Sequence, residues 1–323
     1  MQLLLENSAA VREAERHSIA EQKHYIMSTA LLLAAAGNIG SAVHLILTNK
    51  RVIIVDKFAF TAVLAVLHSY TTFLGCLVLL LAGFIKYKPV SSMRTLTIIS
   101  IGSLVSILFM NLSLVHNSVG FYQISKLACI PMTLFIECYL GMMHQTLTLR
   151  LLLSLLLLSV GMALVATNDT SATSLGLLWA FLGTFSTSVA QVLFSPLQKS
   201  LQLDPLQLLL HTSPLLTLGA SLAVPLSDDM PRLLSHRVTT ELVRDLVISC
   251  VCAIVLNMTN YAVLSMTTPL TNQIIGHVKT IAIIVFGVIF TDNKPTTKMI
   301  LGICLALLGV GFYTREKQRQ NSG

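Results

Sequence analysis

Apolar residues in this chain neither recur on one helical face nor alternate as in a half-buried strand. They run almost unbroken for about 20 positions at a time, with short polar breaks between the runs. A helix crossing the hydrocarbon core of a bilayer needs about 20 such residues. The pattern predicts ten spans, over residues 25–48, 58–83, 95–115, 119–143, 149–167, 174–198, 205–226, 244–264, 269–290 and 296–314. The breaks at His116–Ser118 and Met266–Thr268 leave room only for tight helical hairpins. The longest connection, Ser227–Val243, carries Asp228, Asp229, Pro231 and Arg232 and is expected to be a partly structured surface loop.

Two of the runs carry a lysine well inside them, away from the span ends. VGFYQISKLACIPMTLFIECYLGMM, Val119–Met143, includes Lys126, and PLTNQIIGHVKTIAIIVFGVIF, Pro269–Phe290, includes Lys279. A lysine at the centre of a bilayer costs roughly 2.5–3.5 kcal/mol on insertion scales, so each needs a partner or a function. Most acids lie at or near span ends; Glu137 alone lies well inside a span. It is eleven residues from Lys126, roughly 16 Å along a helix, too far to pair directly. An interior with two lysines and no buried carboxylate partner for them is suited to an anion. Without an anion, backbone carbonyls or the interface would have to satisfy each ammonium.

The two halves of the chain echo one another at an offset of 150. Gln123 matches Gln273, Leu114 matches Leu264, Val160-Gly161 matches Val310-Gly311, and the break at Ser118-Val119-Gly120 lies over Thr268-Pro269-Leu270. Five spans per repeat is an odd number, so the second copy must be inverted in the membrane. Inverted repeats are an architecture of secondary transporters, with the site near the midplane where the halves meet. The expected fold is therefore all-α: ten transmembrane helices as two inverted five-helix repeats, 25–167 and 174–314. A cytosolic N-terminal segment, 1–24, and a cytosolic tail, 315–323, flank them.

Composition agrees: 54% of residues are hydrophobic and 11% charged, with a mean hydropathy of +0.78, whereas soluble domains carry about 25% charged residues. The net charge of +7 sits mainly in short loops and tails, as the positive-inside rule produces, so nucleic acid is not an expected partner. With the termini inside, inner segments carry eleven lysines and arginines and outer segments eight, which places the termini in the cytosol. The mixed-charge first 24 residues fit neither a cleavable signal nor a plastid presequence. All six cysteines lie in apolar runs without metal spacing, and no metal or cofactor is expected. Membrane-embedded enzymology would need clustered acids, histidines or a nucleophile pair, and the sequence has none in its core.

Polar residues gather around the lysines: Tyr122 and Gln123 one turn before Lys126, Asn272, Gln273, Gly276 and His277 before Lys279, and Thr280 after it. Such residues also serve interhelical packing. Together with NLSLVHNSVGFYQISKLACIP (Asn111–Pro131), SPLQKS (Ser195–Ser200), DPLQLLLHTSP (Asp204–Pro214), Asn49-Lys50, His68 and GHVKT (Gly276–Thr280), they resemble the triose-phosphate/nucleotide-sugar translocators of the drug/metabolite transporter superfamily. The resemblance runs from the first span to the last.

The resemblance implies that Lys126 and Lys279 hold substrate phosphate. The polar residues near them, Tyr122, Gln123, Asn272, Gln273, Gly276, His277 and Thr280, with Asn111 and His211, are the further candidates to line the substrate path. Plastid phosphate translocators place an arginine directly after the second lysine. Thr280 stands there in this chain, as in the Lys-Thr branch that carries UDP-sugars. An arginine adds a fixed planar charge fitted to a compact phosphate dianion; a threonine offers only a hydroxyl. A departure falls in the seventh span, where Leu210, His211 and Thr212 stand in place of aromatic or amide residues.

The expected activity is exchange of a nucleotide sugar, a UDP-sugar by this branch, for a nucleoside monophosphate across a Golgi or endoplasmic-reticulum membrane. A small organic-phosphate exchanger of the same fold is the alternative. Partners are the two nucleotides and membrane lipid, and a homodimer is one assembly open to such a chain.

Overall fold

The computed structural model describes residues 29–142, 146–168, 173–266, 269–290 and 296–322. The side chains at 166–168, 194–195, 261, 264–266, 269–274, 277, 288–290 and 321–322 lie outside the described set. Every regular element among the described residues is an α-helix: α1 Thr29–Ile54, α2 Thr61–Leu81, α3 Met93–His116, α4 Val119–Leu127, α5 Cys129–Tyr139, α6 Leu149–Asn168, α7 Ser174–Leu201, α8 Pro205–Ser227, α9 Met230–Ser235, α10 Thr240–Met266, α11 Pro269–Phe290 and α12 Thr297–Ser322. Among the described residues, eight helical stretches are long and apolar enough to cross a membrane. Two shorter apolar ones cover Leu149–Val165 and Val278–Gly287.

The outward faces carry large apolar side chains, such as Leu32, Leu81, Leu226 and Phe135. Lipid, not water, is the solvent that tolerates them, because helices satisfy their own backbone and leave only side chains to face hydrocarbon. The protein is a multi-pass membrane protein.

Helix ends differ from the apolar runs for identifiable reasons. The first run stops at residue 48 because Asn49, Lys50 and Arg51 follow, yet α1 continues to Ile54. Lys50 Nζ donates to the carbonyls of Leu114 at 2.7 Å and Asn117 at 2.5 Å, at the C-terminal end of α3. A lysine here satisfies carbonyls that a helix end leaves open. The run 119–143 divides into α4 and α5 at Ala128. Pro131, three positions on, has no N–H to return to the Leu127 carbonyl, which loosens the helix one residue after Lys126. At its other end Ser118 caps α4, accepting from Phe121 N at 3.0 Å.

Distant segments supply caps that the local sequence lacks. Phe60 precedes α2 and cannot cap it; the buried Asp228 at the end of α8 accepts instead from Ala62 N (3.1 Å) and Val63 N (3.0 Å). Gln207 bridges the other end, accepting from Asp204 N at 3.0 Å and donating to Lys86 O at 2.9 Å. The connection 227–243 folds into α9, with His236 edge-on to Phe58 and Phe60.

Three pairs dominate the packing: α6 on α12, α3 on α7 and α2 on α8, with α4 on α11 a smaller contact. The first is the tightest. A methyl group on Gly309 would meet Leu158 N at 2.5 Å, and one on Gly302 would meet Gly161 O at 2.8 Å. Only glycine lets backbones approach this closely in a membrane.

Candidate functional site

A cavity of about 360 Å3 lies among α1, α2, α3, α4, α7, α8 and α10. Lys126 and Tyr122 of α4 form one wall. The Lys126 ammonium stands 4.3 Å from the centre of the Tyr122 ring, the i, i+4 neighbour that a single helical turn brings beneath it. Such a contact offers electrostatic attraction without a counter-charge. Among the described residues, neither Lys126 nor Lys279 has a carboxylate within ion-pair distance, and no acid lines the cavity.

The opposite wall is polar and neutral: Asn49, His68, Ser69, Thr72, Thr212, Ser213 and Asn257. These groups are ordered among themselves. Ser249 Oγ donates to Asn49 Oδ1 at 2.5 Å and lies 2.7 Å from His68 Nε2. A hydroxyl has one proton, so His68 Nε2 is the donor in that contact and Nδ1 is left as its second polar atom. Asn257 Nδ2 donates to Thr72 Oγ1 at 3.0 Å. Asn111 lines the same space, its amide nitrogen 3.5 Å from Thr61 O.

Lys279 lies outside this lining. Its ammonium donates to Asn38 Oδ1 of α1 at 3.2 Å, and Asn38 Nδ2 donates in turn to Thr259 Oγ1 and Leu256 O of α10, each at 3.3 Å. Asn38 is 1% exposed, so this is an interior contact. Thr280 spends its hydroxyl proton on Gly276 O at 3.1 Å, leaving the oxygen only as an acceptor. Among the described residues, nothing lies within 4 Å of where a Cβ on Gly276 would stand.

The remaining expected residues divide. Gln123 is buried at 2% exposure, its Nε2 without a hydrogen-bond partner among the described residues, and it is not part of the lining. His211 is in the second turn of α8, between Leu209 and Thr212 of the lining but not itself part of it, its Nε2 2.9 Å from Lys88 O and its ring edge-on to Tyr87. The side chains of Asn272, Gln273 and His277 lie outside the described residues.

Asn38, Asn257 and Ser249 were not singled out from the sequence. Each is a lone polar residue in an apolar run, and such a residue resembles any helix-packing hydrogen bonder until its partners are known.

The family model described as the Triose-phosphate Transporter family matches residues 31–314. This chain belongs to that family. Among curated proteins it is 31% identical over 277 residues to UDP-xylose transporter 2 of Arabidopsis thaliana, covering 85% of this chain and 78% of that one. It is 30% identical over 297 residues to the UDP-rhamnose/UDP-galactose transporter 2 of the same plant, covering 89% and 84%. A crystal structure superposes with a TM-score of 0.51 at 13% identity, over 88% of this chain and 98% of the other, and that likeness shows a shared fold alone. The family and these relatives are transporters, not enzymes.

Proposed function

We propose that this protein is a nucleotide-sugar antiporter of an endomembrane, carrying a UDP-sugar in exchange for a nucleoside monophosphate. The observation that carries the proposal is Lys126, an ammonium in the wall of an acid-free interior cavity. The relatives named for UDP-sugar transport support it, and so does the Lys279-Thr280 pair. The cavity's size is within the range of small-molecule sites, roughly 300–1,000 Å3.

Ten spans in two inverted five-helix repeats, 25–167 and 174–314, with cytosolic termini in the Golgi or endoplasmic-reticulum membrane, complete the proposal. Support comes from the packing: α2 lies on α8, α4 on α11 and α6 on α12, the pairs that a two-fold relation between the halves would bring together.

In the mechanism, substrate phosphate enters beside Lys126 and draws Lys279 from Asn38, so that both ammonium groups bind the diphosphate. Tyr122 and Asn111 bound the site on the α4 side. Gln123, with an unused amide donor, Gly276 and Thr280 adjoin it, while Asn272, Gln273 and His277 belong to the same stretch of α11. His211 stands by the loop to α3, where it would meet substrate only during entry.

An anion neutralises two like charges that otherwise oppose each other, so the loaded carrier rocks between its two openings more readily than the empty one. Exchange follows. Proteoliposomes loaded with labelled UMP test it. Efflux is expected to rise steeply when a UDP-sugar is added outside; equal efflux with and without it would rule out the exchange model. Triose phosphate in place of the UDP-sugar tests the organic-phosphate alternative.

A further inference from the structure

A second concavity lies away from the interior cavity, on the outer surface where the N-terminal end of α6 meets the C-terminal part of α12. It encloses about 920 Å3. Arg150, Arg315 and Arg319 stand at its head, and Leu153, Leu156 and Phe312 line its length down to Val160. A hollow of about 500 Å3 adjoins it around Arg150, Arg319 and Thr148.

Glu316 is the one carboxylate in the lining, and it accepts a hydrogen bond from Thr148 Oγ1 at 3.0 Å. Among the described residues, no carboxylate comes within ion-pair distance of any of the three guanidinium groups. The frame that displays them is fixed. Gln320 accepts from Thr146 N and donates to Thr146 O, both at 3.0 Å, which ties the last turns of α12 to the segment before α6. Beyond Leu158 the glycine contacts described above lock the two helices together.

Arg150 and Val160 are ten residues apart, roughly 15 Å along a helix. That is about half of a hydrocarbon core of roughly 30 Å. The groove therefore has a cationic head at the membrane surface and an apolar floor one leaflet deep. Its chemical complement is an anion joined to an acyl chain. Guanidinium groups suit phosphate oxygens because their planar forks donate in pairs. A soluble anion would leave the apolar floor unused, and an isologous contact between two copies of the chain would bring the net-positive heads together.

We infer that the α6–α12 groove is a binding site for one anionic phospholipid, its headgroup phosphate against Arg150, Arg315 and Arg319 and one acyl chain along Leu153, Leu156, Val160 and Phe312.

Native mass spectrometry and thermal unfolding of the full chain in detergent test this site. Phosphatidylserine is compared with phosphatidylcholine of identical chains and with water-soluble glycerol phosphate. Wild-type protein is expected to retain phosphatidylserine with an affinity about tenfold or more above phosphatidylcholine, the order expected of several basic groups at a lipid surface, and to ignore glycerol phosphate. The triple variant Arg150→Gln, Arg315→Gln, Arg319→Gln should lose that preference while unfolding in phosphatidylcholine at the wild-type temperature. Lys86→Gln with Arg94→Gln, which removes charge elsewhere, should keep it. If the triple variant does not fold, the single exposed Arg319→Gln is expected to lose part of the preference.

Equal retention of the two lipids by wild-type protein would overturn the site, as would an unchanged preference in the variants. Glycerol phosphate binding as well as the lipid would make it a free-anion site instead. A dimer broken by the arginine substitutions, with no lipid preference, would assign the groove to a second copy.

Discussion

Lys126 on α4 and Lys279 on α11 are chemically the same group in similar stretches of the two halves, yet their surroundings differ. Lys126 faces a cavity and rests on an aromatic ring. Lys279 is held by a neutral amide that is itself anchored to α10. The offset of 150 that pairs Gln123 with Gln273 pairs Lys126 with Gly276, so Lys279 sits three residues further along its helix. That is about 4.5 Å of rise, nearly one turn on the same face. The two lysine-bearing stretches are thus similar in sequence but not equivalent in their surroundings. A cation over a π face remains open to an anion from the other side, whereas one bonded to an amide must exchange a partner. In this conformation Lys126 is poised and Lys279 is latched.

Removing either charge is the strongest way to break that comparison. Lys126→Ala and Lys279→Ala are each expected to lower UDP-sugar exchange in proteoliposomes by about 100-fold or more, because a buried charge–phosphate contact is worth several kcal/mol. Lys279→Arg should keep part of the activity, and a Lys279→Ala variant with wild-type exchange would remove α11 from the site.

The next effect is specific to the latch. Asn38→Ala leaves Lys279 without its amide acceptor and Thr259 without its amide donor. The unliganded protein is expected to unfold a few degrees lower, with UMP restoring more stability than it adds to the wild type. Equal nucleotide stabilisation in both would mean that Asn38 does not compete with substrate for Lys279.

A smaller change tests the Lys126 side. Tyr122→Phe should be near wild type in nucleotide affinity, whereas Tyr122→Leu should weaken it about two- to thirtyfold, the range for a desolvated cation–π contact. Thr280 has the smallest expected effect. With its proton already given to Gly276 O, Thr280→Ala should change exchange by less than about threefold, measured as initial rate. Thr280→Arg should move preference toward compact phosphates, read by triose-phosphate competition.

How much of this was legible depended on the length over which a signal is written. Membrane spans are written over about 20 residues, and the apolar runs foretold most helices to within a few positions, although α12 continues to Ser322, eight residues past its run and through the expected tail. They failed where a charge was satisfied from a distance: Lys50 looked like the end of a span, but the α3 carbonyls let α1 continue past it. Pro131 marked the division of α4 from α5, yet a run of apolar residues concealed it. At the site, Lys126 and Lys279 stood out because a charge in hydrocarbon demands a reason. Asn38, Ser249 and Asn257 did not, since a single amide or hydroxyl in a helix has no period.

The sequence by itself determined that the chain lives in a membrane as helices, which family it resembles, and that two cations lie in its interior without an obvious counter-ion. Those properties follow from composition and local order. Tertiary structure alone decided which groups meet those cations: a tyrosine ring one turn away for Lys126, and an asparagine 241 positions away in the chain for Lys279. Hydrogen bonds act over about 3 Å, and only the packing of α1 against α10 and α11 brings such distant residues within that range.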